Sequence, residues 1–169
     1  VGSEMCIRDR EYATVPFSYA KTVRFIQEEL YVYRVGDVNQ SVSAASQVKR
    51  LPDLEQVIFN VLEAEKSFAK MPQGGKEHFI RKTSGIITSY YQIALIKNTD
   101  RQSGRAIVEQ FNMKLAQKSA LMYEAVQRKY KVFWLFNKLH VSNSFYENQF
   151  AKLLEFAKRV GRADRLYRK

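Results

Sequence analysis

The sequence is poor in cysteine, proline and glycine, and it contains no long hydrophobic run. Its 169 residues include one cysteine, three prolines and seven glycines. Because Cys6 is the only cysteine, a disulfide within the chain and a cluster of thiolate metal ligands are both excluded. No stretch approaches the roughly 18 consecutive apolar residues that a membrane-spanning helix requires. We therefore expect a cytoplasmic protein that is soluble or peripheral to a membrane.

Recognisable catalytic and metal-binding motifs are also missing from the sequence. It contains no Asp-x-Asp pair, and its nearest acidic clusters are Glu28-Glu29 and Glu63-Ala64-Glu65. The sequence Gly74-Gly75-Lys76 lacks the earlier glycine and the following Ser or Thr of a phosphate-binding loop, so we expect it in a turn that terminates the preceding helix. His78 and His140 have no partner ligands at metal-binding spacing. We therefore predict no catalytic residue and no metal ligand within this chain.

Negative charge is scarce relative to positive charge. The chain carries 28 Lys and Arg against 17 Asp and Glu, a formal net charge of +11. Residues 128–169 contribute most of the excess, with eleven cations against three acidic residues. The long-range partner is expected to be anionic, and charge alone leaves nucleic acid, acidic lipid and a nucleotide diphosphate open.

What the sequence does contain is helical periodicity. After Ser43 the apolar residues recur at spacings of three and four, as on one face of a helix. The stripes predict a first helix from Pro52-Asp53 to Met71, a second through Phe79–Leu95 that ends at Asn98, a third from about Ser103 to Arg128, a fourth from Val132 to about His140, and a last one capped by Ser142 or Asn143. Five such helices with short connections are expected to form an antiparallel bundle or a looser helical appendage.

The N-terminal part has a different pattern. Residues 1–10 read like a translated sequencing adaptor, and we interpret them as a non-native leader. A short helix is predicted from Val15 to Lys21, with Pro16 near its first turn. Residues 22–35 are rich in β-branched and aromatic side chains, which predicts two short strands around Gln27-Glu28-Glu29.

An aromatic strand that runs into a polar loop, Leu30-Tyr-Val-Tyr-Arg-Val-Gly-Asp-Val-Asn-Gln-Ser-Val-Ser43, resembles the end of the catalytic domain in bacterial family 2 glycosyltransferases. The resemblance covers about residues 14–43. It implies a mainly α chain in which residues 11–45 are a short α/β remnant of a GT-A catalytic domain and residues 46–169 are a helical C-terminal extension. The chain would then be the C-terminal part of an N-terminally truncated enzyme and would be inactive alone.

The resemblance also implies a function and a substrate contact. Such an enzyme transfers a sugar from a nucleotide-sugar donor to a glycan or lipid-linked acceptor in cell-surface polysaccharide synthesis, with Mg²⁺ or Mn²⁺ in the full-length protein. Arg34 would contact phosphate oxygens, and Gln40, Ser41 and Ser43 would donate to the diphosphate or the acceptor. The alternative is that Arg34 pairs with an acidic neighbour while Ser41 and Ser43 cap the next helix.

Two further questions stay open. The basic segment 158–169, together with Phe133, Trp134 and Phe136, would suit the anionic inner face of the plasma membrane, whereas the alternative is a solvated helix end. The rival to the enzyme hypothesis is a non-enzymatic basic helical module that binds nucleic acid or another anionic partner. We rank nucleic acid second, because no recognition helix is apparent, and self-association stays open.

Overall fold

The computed structural model describes residues 2–24, 27, 28 and 43–150, and over these residues it contains helices and no strand. The α-helices are α1 (Gly2–Tyr19), α2 (Ala44–Lys49), α3 (Leu51–Glu63), α4 (Gln73–Gln92), α5 (Arg101–Lys118), α6 (Ala120–Lys138) and α7 (Asn143–Phe145). A 3₁₀ helix, Ala64–Lys70, follows α3, and π-helical segments at Ile93–Lys97 and Tyr146–Phe150 extend α4 and α7. The prediction of a mainly α chain is confirmed.

The core forms where α3, α4, α5 and α6 face one another. The predicted apolar stripe of α3 is buried, as are the aromatic residues near the end of α4. Phe111 of α5 lies at the centre, stacked on Tyr90 with ring centroids 4.3 Å apart and edge-on to Tyr91 at 5.9 Å. Such offset and edge-on aromatic pairs add to the stabilisation that burial of their area provides.

The predicted position of the boundary between the third and fourth helices was wrong. One long helix was expected to end at Arg128, but the chain breaks at Ser119, which adopts an extended conformation between α5 and α6. The Ser119 hydroxyl accepts a hydrogen bond from the Met122 amide at 3.0 Å and so caps α6. Helix α6 then continues to Lys138 and absorbs the segment that was expected to start a new helix at Val132.

The predicted secondary structure of two glycines was also wrong. Gly74 and Gly75 were expected in a turn that terminates the first helix, but both lie in the first turn of α4. A β-carbon on Gly75 would lie 2.0 Å from the carbonyl oxygen of Ser18 in α1. The absence of a side chain at Gly75 therefore permits the close approach of α1 to the start of α4.

Helix α1 is longer than predicted and packs against α3 and α4. Pro16 lies towards its C-terminal end and not in its first turn. Thr14 and Ser18 are buried, and each hydroxyl donates to the carbonyl oxygen four residues before it. Of the two predicted strands, residues 22–24, 27 and 28 show no strand, and the remainder lies outside the described residues.

Candidate functional site

The substrate contacts implied by the resemblance fall at the edge of the described residues. Arg34, Gln40 and Ser41 lie outside them. Ser43 immediately precedes α2, and its hydroxyl oxygen accepts a hydrogen bond from the Ser46 amide at 3.2 Å. For Ser43 the structure therefore contains the capping interaction that the sequence left open as an alternative to substrate binding.

A cleft of about 450 Å³ lies close to this capped end, and we call it the Glu55 cleft. It is bounded by α2, the first turns of α3, the end of α4 and the middle of α5. Its lining residues are Val48, Lys49, Leu51, Pro52, Glu55, Gln56, Phe59, Tyr90, Ile107, Gln110 and Lys114. Apolar walls with a few polar groups are typical of small-molecule sites in proteins.

Glu55 is the polar centre of this cleft. One carboxylate oxygen accepts a hydrogen bond from the Tyr90 hydroxyl at 2.9 Å, and the other pairs with the Lys114 ammonium at 2.7 Å. Tyr90 is almost fully buried, and this desolvation, reinforced by the adjacent Glu55 carboxylate, raises the pKa of the phenol far above its usual value. Tyr90 therefore remains protonated at neutral pH and acts as a fixed donor to Glu55.

The arrangement is suited to binding rather than to acid–base chemistry. Both Glu55 oxygens already have partners, and among the described residues no second carboxylate or histidine lines the cleft. Lys49, Gln56 and Gln110 add donors and acceptors at its walls. A small polar molecule would find hydrogen-bonding groups here, and the described lining residues include no pair positioned for general acid and general base catalysis.

The described residues contain no cluster of three or more His, Cys, Asp or Glu side chains that would hold a metal ion. His78 has a local role, because its Nε2 lies 3.2 Å from the Ala13 carbonyl oxygen and its ring stacks on Phe17 at 5.8 Å. His140 is exposed just after α6, with a positive φ of 54°. Among the described helices, none is both long and apolar enough to cross a membrane.

A polar network that the sequence analysis missed surrounds the π-helical segment Ile93–Lys97. The amide nitrogen of buried Asn137 donates to the Leu95 carbonyl oxygen at 2.8 Å, and its amide oxygen accepts from Arg105 at 2.8 Å. Arg101 donates to the same Leu95 oxygen at 2.7 Å and to the Val141 carbonyl oxygen at 2.8 Å. Burial lowers the pKa of Arg101 from its usual value. Arg101 and Asn137 therefore share the Leu95 carbonyl oxygen of the π-helical segment, and Arg101 also satisfies the Val141 carbonyl oxygen after α6.

The exposed side of α6 forms a second distinctive surface, which we call the α6 outer face. Of the three aromatic residues expected at a membrane, Phe133 is buried, Phe136 is partly buried against the core and Trp134 is also partly buried. One line of exposed residues instead recurs at alternating spacings of four and three and consists of Leu121, Ala125, Arg128, Val132, Leu135 and the C-cap residue Leu139. Glu124, Lys129, Lys131 and Lys138 are also exposed on α6.

Comparisons with protein-family models, curated proteins and solved structures find no match to this chain.

Proposed function

We propose that the chain is the C-terminal part of a family 2 glycosyltransferase, and that its helices support the substrate loop of that enzyme. The full-length protein would transfer a sugar from a nucleotide-sugar donor to a glycan or lipid-linked acceptor. The observation that carries the proposal is the sequence Leu30–Ser43, with its alternating tyrosines, Arg34 and the Gln40-Ser41-Val42-Ser43 end.

The position of the Glu55 cleft supports the proposal. Ser43 caps α2, and Val48 and Lys49 from the same short helix line the cleft. At 1.5 Å per residue, Ser43 and Val48 are separated by about 8 Å along the helix axis. The segment that would contact substrate therefore joins the helical body beside a cleft with hydrogen-bonding side chains, which suits a hydroxyl-rich acceptor.

Catalytic groups would belong to another part of the enzyme. A glycosyltransferase must neutralise the departing nucleotide diphosphate, commonly with Mg²⁺ or Mn²⁺, and must deprotonate the acceptor hydroxyl. The sequence has no Asp-x-Asp pair for the first task. In the proposal, both functions are supplied by a strand-and-helix domain encoded upstream, Arg34, Gln40 and Ser41 contribute binding only, and Ser43 caps α2.

The test begins with the DNA upstream of the codon for Glu11. We expect a continuous reading frame that encodes an alternating strand–helix domain with Asp-x-Asp. The extended protein should transfer sugar from one member of a panel of nucleotide sugars, and the present chain should not. In the extended protein, Arg34→Ala and Gln40→Ala should raise KM, whereas Gln102→Ala on the exposed surface of α5 should not.

An authentic start codon immediately before Glu11 would refute the proposal. The net charge of +11 would then favour the second candidate, a basic helical module that binds nucleic acid or another anionic partner. A gel shift with DNA or RNA that weakens steeply with salt would support that candidate.

A further inference from the structure

The α6 outer face has the composition of a membrane-binding surface. Its aliphatic residues Leu121, Val132, Leu135 and Leu139 are 37%, 40%, 48% and 64% exposed. They lie on one line along α6 and its C-cap residue Leu139, and the 19 residues of α6 span about 28 Å. The opposite side of the helix is packed in the core through Met122, Val126 and Phe133. The protein can therefore present this line without unfolding or rotating α6.

Cations accompany the exposed aliphatic residues. Helix α6 contains four Lys or Arg residues against one acidic residue, Glu124. Lys131 and Trp134 line a shallow depression of about 490 Å³ beside Leu135. The Lys138 ammonium lies 5.0 Å from the centre of the Trp134 ring. Long Lys side chains can keep their charge at the headgroups while their stems lie on apolar surface, and Trp favours the same interfacial depth.

We propose that the α6 outer face binds peripherally to an anionic lipid surface. The helix lies parallel to the bilayer, with Val132, Leu135 and Leu139 inserted at the boundary between headgroups and acyl chains. Arg128, Lys131 and Lys138 contact the acidic headgroups. This combination of an apolar line and flanking cations is the general pattern of interfacial amphipathic helices. The inference does not depend on the glycosyltransferase proposal.

Charge and shape favour an anionic lipid surface over the other partners that could cover the α6 outer face. A second copy of α6 would bring two basic faces together. Residues 151–169 would do the same, because they carry seven Lys or Arg against two acidic residues. Nucleic acid offers anionic phosphates but no apolar phase for four aliphatic side chains. A partner helix is usually held in a groove, whereas the outer face of a single helix is convex.

Vesicle binding by the full chain tests the proposal. The chain is mixed with vesicles of phosphatidylcholine alone or with about one-third phosphatidylserine, at low and at high salt. Trp134, the only tryptophan, is an internal reporter. We expect co-sedimentation and a blue shift of its fluorescence with the anionic vesicles, a large loss of binding at high salt, and little binding to phosphatidylcholine alone.

Variants of α6, compared with matched variants of α4 and α5, test whether the α6 outer face is the surface that binds lipid. Lys131→Gln with Lys138→Gln should weaken binding about 30-fold, since each cation near the lipid contributes about 1 kcal/mol. Leu135→Ser with Leu139→Ser should weaken it about 200-fold or more, because at least four buried carbon groups lose their contact with lipid at about 0.8 kcal/mol each. The controls are Arg81→Gln with Lys82→Gln, which change the same charge on the exposed side of α4, and Met113→Ser, which removes a 61% exposed apolar residue from α5.

Three results would overturn the proposal. The first is no binding to anionic vesicles. The second is binding that the α6 variants and their controls reduce equally. The third is a concentration-dependent dimer that Leu135→Ser with Leu139→Ser converts to a monomer, which would assign the α6 outer face to a second copy. Circular dichroism of each variant establishes that the helices are intact, so that loss of binding is not loss of fold.

Discussion

The contact between Gly104 and the π-helical segment allows a sharp test of the fold. A β-carbon at Gly104 would lie 2.1 Å from the carbonyl oxygen of Ala94 and 3.2 Å from its carbonyl carbon. Ordinary nonbonded carbon–oxygen contacts are longer than the first distance by roughly 1 Å. Gly104→Ala therefore forces α5 and the Ile93–Lys97 segment apart.

The expected change in the free energy of unfolding combines two destabilising effects with one stabilising effect. Overpacking in a close-packed interior costs about 1–3 kcal/mol. Separation of the two elements also strains the hydrogen bonds that Arg101 and Asn137 make to Leu95, the residue after Ala94. Replacement of a helical glycine by alanine contributes about 0.5–1 kcal/mol in the stabilising direction. We expect Gly104→Ala to lower the free energy of unfolding by about 2 kcal/mol.

Gly85 provides the matched control. It lies in α4, is exposed, and has no neighbouring atom within 4 Å of the position that a β-carbon would occupy. Gly85→Ala should therefore raise the free energy of unfolding by about 0.5–1 kcal/mol. Urea-induced unfolding followed by far-ultraviolet circular dichroism measures both changes. Equal stability of the two variants would refute the packing of α5 on the π-helical segment.

Three further predictions concern other parts of the fold. Gly75→Ala should displace α1 and make it more sensitive to proteolysis, because the new β-carbon would meet the Ser18 carbonyl oxygen, whereas Gly74→Ala, with open space around it, should not. Asn137→Ala removes two hydrogen bonds from a fully buried position and should cost about 2–3 kcal/mol in urea unfolding. Two lysine partners lower the pKa of Glu63 from 4.5 to about 2, so its ion pairs stabilise the fold above pH 4.5 and are lost as the pH falls towards 2. Glu63→Gln should flatten the dependence of stability on pH in that window, and an unchanged pH profile would contradict this assignment.

Periodicity predicted the helices that pack on one face and missed the boundaries that depend on local capping. The stripes of α3 and α4 were recognisable because buried residues recur every three or four positions. The break at Ser119 has no proline or glycine to mark it. Its signal is a serine hydroxyl that caps α6, and serine is common enough in sequences that it identifies a cap only together with an extended backbone.

The Glu55 cleft was not predictable from one helix at a time. Tyr90 belongs to the apolar stripe of the second predicted helix, while Glu55 and Lys114 lie at the polar edges of two other helices. The three side chains meet only when α3, α4 and α5 pack together. The resemblance predicted substrate contacts at Arg34, Gln40, Ser41 and Ser43 instead. Of these four residues, only Ser43 lies among the described residues.

Helix α6 has two apolar faces, and Asn137 helps to decide which of them is buried. At 100° per residue, the core-facing residues Met122, Val126, Phe133 and Asn137 are centred about 130° from the α6 outer face. A rotation that buried Leu135 and Leu139 would withdraw Asn137 from the Leu95 carbonyl oxygen and from Arg105. It would also carry Arg128 towards the apolar interior, where an unpaired cation is costly. The buried polar network therefore helps to fix the orientation of α6 that leaves the aliphatic line exposed. Asn137→Ala should accordingly lower both the free energy of unfolding in urea and co-sedimentation with anionic vesicles.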